Sequence, residues 1–163
     1  MESPFAKLII DIQKRIKDNI PEIKFIDENK GQYGFDDFKA RVLFPAVLID
    51  FPNTPFSDLS TNIQLGNCTI SLSLMFDPYN NTSSLTPLNI VEAGLNYYEI
   101  EQKLHRFMQG WCLDYFTPLS RVNATSQNRN EIGIRIREVF YNTEFEDWSL
   151  DDDSFTQLNF TEN

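Results

Sequence analysis

Strict alternation of apolar and polar side chains over residues 66–76, "GNCTISLSLMF", is the feature that most constrains the fold. Successive side chains of a strand point to opposite faces, so this period of two predicts a long strand against a hydrophobic core. No charge lies between Asp58 and Asp77, although a face in water usually carries some. The polar face is therefore predicted to be covered, either by a helix of the same chain or by another subunit. The apolar face would present Cys68, Ile70, Leu72, Leu74 and Phe76, and the polar face Asn67, Thr69, Ser71, Ser73 and Met75.

The first third of the chain predicts one helix and two strands. Pro4 begins an amphipathic pattern that ends before Pro21, because proline suits the first turn of a helix and interrupts its interior. Residues 23–27 predict a short strand. The near-continuous apolar run "AVLIDF" predicts a strand that is covered on both faces.

The remaining segments predict a second helix and a closing pair of strands. The helix lies within residues 87–111, and its apolar positions change phase near Tyr97. We interpret this change as a short first turn followed by a main helix from about Asn96. Residues 119–147 alternate as two strands, with a phase switch that a bulge near Glu138 would explain.

This order of elements predicts an α+β fold, with one mainly antiparallel sheet and two helices packed on one face. Residues 1–148 would form a single domain, and residues 149–163 an acidic C-terminal tail that contains the run "DDD". A chain of 163 residues is long enough to bury a core without a metal or a disulfide.

The charge balance argues against several classes of partner. The formal net charge is −10, from 14 basic and 24 acidic residues. Binding of nucleic acid and of anionic membranes relies on Lys and Arg, so both are disfavoured. The first residues do not resemble a signal peptide, and no stretch approaches the roughly 20 apolar residues of a membrane helix. We therefore expect a soluble protein made inside the cell, with Cys68 and Cys112 as reduced thiols.

The sequence offers little chemistry of catalysis. His105 is the single histidine, and it has no neighbouring Cys or Ser that would suit nucleophilic catalysis. No spacing predicts a metal site, and no glycine-rich loop predicts a phosphate site. We therefore expect neither an enzyme nor a resident cofactor or metal.

One basic concentration stands out in this acidic chain, formed by Arg121, Arg129, Arg135 and Arg137. Three partners suit it: nucleic acid, acids of the same sheet, or the acidic surface of another copy.

A resemblance follows from the order of five segments: "PEIKFID", "FPAVLIDF", "IQLGNCTISLSLMF", "YYEIEQKLHRFMQGW" and "IREVFYNTEFED". After an N-terminal amphipathic helix, this order resembles the tail-terminator and tail-completion proteins of bacteriophages, particularly a branch found in prophages of Bacteroidetes. The resemblance covers nearly all of the chain to about Asp147. The resemblance does not extend to the acidic C-terminal segment, residues 149–163.

The resemblance implies a structural virion protein, assembled in the cytoplasm of a bacterial host. Such proteins form a ring, commonly of six copies, at the end of the tail tube, where the tube protein and the neck proteins are its partners. DNA would pass through the ring without specific binding, and no membrane would be involved.

The polar face of the long strand would then meet a neighbouring subunit, and the arginines would meet acids of that copy. The candidate interface residues are Thr69, Ser71, Ser73, Arg135 and Arg137. The alternatives are a connector, stopper or baseplate component, or a monomeric module that binds a small molecule between sheet and helices.

Overall fold

A six-stranded sheet organises the chain, of which the computed structural model describes residues 3–34, 37–77, 82–129 and 133–150. In chain order the elements are α1 (Pro4–Asn19), β1 (Phe25–Glu28), a short 3-10 helix (Gln32–Gly34), α2 (Phe38–Arg41), β2 (Ala46–Asn53), β3 (Phe56–Asp58), β4 (Gln64–Phe76), α3 (Leu88–Met108), β5 (Ser120–Arg129) and β6 (Ile134–Asp147).

The strands of the sheet are ordered β1-β2-β4-β6-β5, and β3 adds to the N-terminal part of β4. The pair β1/β2 is parallel and the other pairs are antiparallel. The predicted single-domain α+β fold is confirmed.

The main core lies between one face of the sheet and the two long helices. The predicted apolar face of β4 is buried there, against Leu8 and Ile12 of α1 and Leu104 of α3. Each fully buried Leu or Ile side chain contributes roughly 1.5–3 kcal/mol of transfer free energy to folding. The predicted packing of two helices on one face is therefore observed.

Polar contacts hold α1 to the end of α3 and to the segment that follows it. Arg15 Nε donates a hydrogen bond of 2.7 Å to the carbonyl oxygen of Phe107, and its guanidinium lies 4.8 Å from the centre of the Trp111 ring. The hydroxyl of Tyr115 donates a hydrogen bond of 2.6 Å to Asp11 Oδ2. These contacts join the N-terminal helix to the end of α3 and to the segment before β5.

The opposite face of the sheet carries a smaller apolar cluster beneath α2. Phe38 of α2 packs there with Leu48, Met75 and Ile136. This cluster explains the apolar run at the start of β2, since the side chains of residues 46–49 are buried on both faces as predicted, whereas Asp50 and Phe51 are half-buried. The four-residue helix α2 was not among the predicted elements.

Two local predictions are wrong. Helix α3 is continuous from Leu88 to Met108, so the phase change near Tyr97 does not mark a break. Strand β6 pairs with β4 without a register shift, so there is no bulge at Glu138, and the irregularity of this part of the sheet lies in β5. The phase of β6 switches because Ile134 and Ile136 pack in the cluster beneath α2, whereas later residues face the helices.

None of the described helices is both long and apolar enough to cross a membrane.

Candidate assembly surfaces

The polar face of β4 lies on the side of the sheet opposite to α1 and α3. Ser71 is 2% exposed and Ser73 is 5% exposed, whereas Thr69 is half-buried. Ser71 Oγ donates a hydrogen bond of 2.8 Å to Glu138 Oε1, and Thr69 Oγ1 donates one of 3.1 Å to Asn142 Oδ1. The two serines are thus buried within a single chain, and contact of this face with a neighbouring subunit stays a prediction.

The charges missing from β4 are supplied by the strands on either side of it. Asp50 of β2 lies opposite Ser71, and Glu138 of β6 lies opposite Ser73. Both carboxylate oxygens of Glu138 are bonded, because Gln127 Nε2 donates 2.8 Å to Oε2 while Ser71 binds Oε1. The hydroxyl of Ser71, on a central strand, therefore binds an acidic side chain of the neighbouring strand.

Arg137 lies on the helix-facing side of β6 and is paired within the chain. Its Nε donates 2.6 Å to Glu101 Oε2 and its second terminal nitrogen donates 2.9 Å to Oε1, which is the two-point geometry that suits a guanidinium. A third hydrogen bond of 2.6 Å reaches Ser126 Oγ. The hydrogen bonds with Glu101 raise the pKa of Arg137.

Arg135 lies on the same side of β6, above two tyrosines of α3. Its guanidinium is 4.5 Å from the centre of the Tyr97 ring and 5.9 Å from that of Tyr98, distances typical of cation–π contacts. Burial raises the pKa of Tyr97 to about 12. The hydrogen bond from Tyr97 lowers the pKa of Tyr98. Both arginines therefore join β6 to α3.

The five candidate interface residues do not form one surface. Thr69, Ser71 and Ser73 lie on one face of the sheet, and Arg135 and Arg137 lie on the other. Arg137 binds an acid of its own chain, but this acid, Glu101, belongs to helix α3 and not to the sheet, as one of the predicted alternatives had it.

The rest of the basic concentration is only partly described. Arg121 is exposed on β5, and its backbone N–H donates 2.9 Å to Gln109 Oε1. The side chain of Arg129 lies outside the described residues, as does the acidic run at residues 151–153.

His105 faces Tyr141, with 3.3 Å between Nδ1 and the phenol oxygen. Burial, followed by the charge of Arg121, lowers the pKa of His105, and burial raises the pKa of Tyr141. In the ranges that the structure describes, no three His, Cys, Asp or Glu side chains converge on a possible metal position. Cys68 is buried and Cys112 is exposed, and both are free thiols.

Two further surfaces of the structure were not predicted from the sequence. The first is the N-terminal part of α3, residues 88–96, which contains no buried residue and which we call the overhang. The second is a cleft of about 500 Å³ at the other end of the sheet, the Trp148 cleft. It is lined by Leu65, Asp114, Glu144, Phe145, Glu146 and Trp148, among others. The phase change in α3 was the available signal for the overhang.

The fold of this chain is similar to that of a chain in a solved structure. Neither a protein-family model nor a curated protein matches the chain. A solved structure described as "Virion of native gene transfer agent (GTA) particle" contains a similar chain, with a TM-score of 0.51 and 7% sequence identity. The match covers 85% of this chain and 94% of that chain. The two chains therefore share a fold over most of their lengths.

Proposed function

We propose that this chain is a structural protein of a phage-like particle, and that it forms a ring at the end of the tail tube. The observation that carries the proposal is the likeness of fold to a chain of a gene transfer agent virion, over 85% of the length of this chain. The order of sequence segments that resembles tail terminators supports the same role. So does a helix whose first part is apolar and unburied.

In this role the ring ends polymerisation of the tube and provides a seat for the neck proteins. The net charge suits a channel that DNA must cross. Six copies at −10 each carry 6 × −10, about −60, and acids facing the lumen repel phosphates instead of binding them. Specific binding of DNA is not part of the proposal.

Deletion of the gene, followed by electron microscopy of the particles, tests the proposal. Loss of a terminator leaves tubes that exceed the normal length and few heads joined to tails. A plasmid copy of the gene restores both. Normal-length tubes that fail to join heads identify a connector instead. Intact particles of normal tail length contradict a role at the tail end.

A further inference from the structure

Helix α3 carries two apolar stripes on different sides of one continuous helix. The core stripe contains Ile100, Leu104 and Met108, which are buried. The outer stripe contains Leu88, Val91, Leu95 and Tyr98, at helical spacing and with no buried member. At 3.6 residues per turn, Leu95 and Ile100 lie about 140° apart around the axis. The outer stripe therefore points away from the core that the core stripe fills, whereas Tyr98, at its C-terminal end, contacts the arginines of β6.

The outer stripe also lies largely beyond the end of the sheet. Tyr97 contacts Phe76, the last residue of β4, with 5.6 Å between ring centres. The overhang continues past this point for roughly 13 Å at 1.5 Å per residue. Leu88 is 70% exposed and Leu95 is 39% exposed, and Glu92 is the single charged residue of the overhang. A helical segment that faced only water would carry more charge.

The start of α3 favours an acidic partner. Pro87 precedes the helix and makes no side-chain cap, and the first turn contains no acidic residue. The free N–H groups of a helix start carry a partial positive charge that carboxylates stabilise. This end of the overhang therefore combines apolar side chains with a positive helix end whose first turn contains no acidic residue.

The Trp148 cleft has the complementary composition at the opposite end of the sheet. It lies where β4 begins and β6 ends, whereas the overhang lies where β4 ends and β6 begins. Trp148 is 53% exposed, and its Nε1 donates 3.0 Å to Glu146 Oε2. Glu144 and Asp114 add further negative charge. An exposed tryptophan beside acids suits an apolar helix with a positive end.

We infer that the overhang of one copy docks in the Trp148 cleft of the next copy. Leu88 and Leu95 would pack against Trp148, and the start of α3 would face the acids of the cleft. Because the two surfaces differ and lie at opposite ends, the contact is heterologous and can close into a ring. The inference deepens the proposed function and rests on it, since it names the partner as a second copy and the surfaces that join.

Complementary variants test this contact by analytical ultracentrifugation. The overhang variant is the double substitution Leu88→Asp with Leu95→Asp, which disrupts the overhang and leaves the cleft intact. The cleft variant is the double substitution Trp148→Ala with Glu146→Lys, which disrupts the cleft and leaves the overhang intact. Each variant alone should sediment as a monomer, with the Kd of self-association raised about 30-fold or more, as expected for loss of interface hot spots. An equimolar mixture retains one good contact and should form a one-to-one pair.

Ile10→Asp is the matched control, because Ile10 is an exposed apolar residue on a helix outside both surfaces. It should assemble like the unmodified chain. Circular dichroism verifies that each variant is folded. If the overhang variant does not fold, Leu95→Ala replaces it, and if the cleft variant does not fold, Trp148→Phe replaces it. Three results overturn the inference: unmodified protein that stays monomeric at high concentration, variants that assemble normally, or a mixture that forms no pair. The measurement of tail length after gene deletion tests the proposed function separately. A failure of the docking contact is therefore distinguishable from a failure of the proposed function.

Discussion

The polar face of β4 and the overhang of α3 both carry almost no charge, but they differ in whether their own chain covers them. On β4, Ser71 is buried and bonded to Glu138 of the neighbouring strand. On the overhang, Leu88 and Leu95 remain exposed and meet no buried core. A lack of charge thus indicates a covered surface without saying which chain covers it. The topology of the sheet decides that question for β4, and the overhang is left for a partner.

Substitution of leucine in the two parts of α3 should give the largest contrast. Leu104→Ala removes a fully buried side chain from the main core and should lower the free energy of unfolding by about 3 kcal/mol. Leu95→Ala should change it by less than about 0.5 kcal/mol, because the site is on the surface. Urea denaturation of dilute monomer measures both. Equal losses would contradict the assignment of the overhang to a partner.

Ser71→Glu tests the polar face of β4, the other region in this comparison. A glutamate would overfill a site that is 2% exposed and would place a carboxylate beside Glu138. We expect a loss of about 2 kcal/mol of unfolding free energy in the isolated chain. Ser120→Glu on the exposed edge strand β5 is the control and should have little effect. A fully stable Ser71→Glu protein that fails to assemble would instead identify this face as an interface.

Glu101→Gln tests whether the second part of α3 is held by its own chain. The substitution leaves Arg137 largely buried with a neutral partner and should cost about 1.5 kcal/mol of unfolding free energy. Glu99→Gln, two residues earlier on an exposed side of the helix, should cost almost nothing. If both variants unfold at the same urea concentration as the unmodified chain, the ion pair does not anchor α3.

The smallest expected effect concerns His105. Burial lowers its pKa in the folded state, so the unfolded state binds more protons as the pH falls below about 6.5. This group therefore lowers the free energy of unfolding on acidification, until the pH passes below its folded pKa. Urea titrations between pH 7.5 and about 5 should show a shallower dependence for His105→Gln. Parallel curves for the two proteins would show that His105 does not contribute.

Much of the fold could be predicted from the sequence because the hydrophobic patterns of its main elements are long and regular. The alternation in β4 correctly assigned Ile70, Leu72 and Leu74 to the core. The elements that escaped are short: α2 has four residues and β3 has three. Such lengths are below the window in which periodicity is informative.

The candidate assembly surfaces were harder to predict from the sequence, because they depend on contacts between distant parts of the chain. Arg137 and Glu101 are 36 residues apart, and nothing local indicates that β6 lies under α3. The phase change in α3 was visible, but a break and a second stripe produce the same pattern. Only the continuous helix distinguishes them.

The mass of the purified chain in solution, measured by sedimentation over a wide range of concentration, tests the central claim most directly. The account predicts one closed species whose mass is a defined multiple of 19.0 kDa, visible as rings by electron microscopy. It also predicts that Leu88→Asp with Leu95→Asp reduces this species to single chains. A constant mass of 19.0 kDa at every concentration would contradict self-assembly through these surfaces.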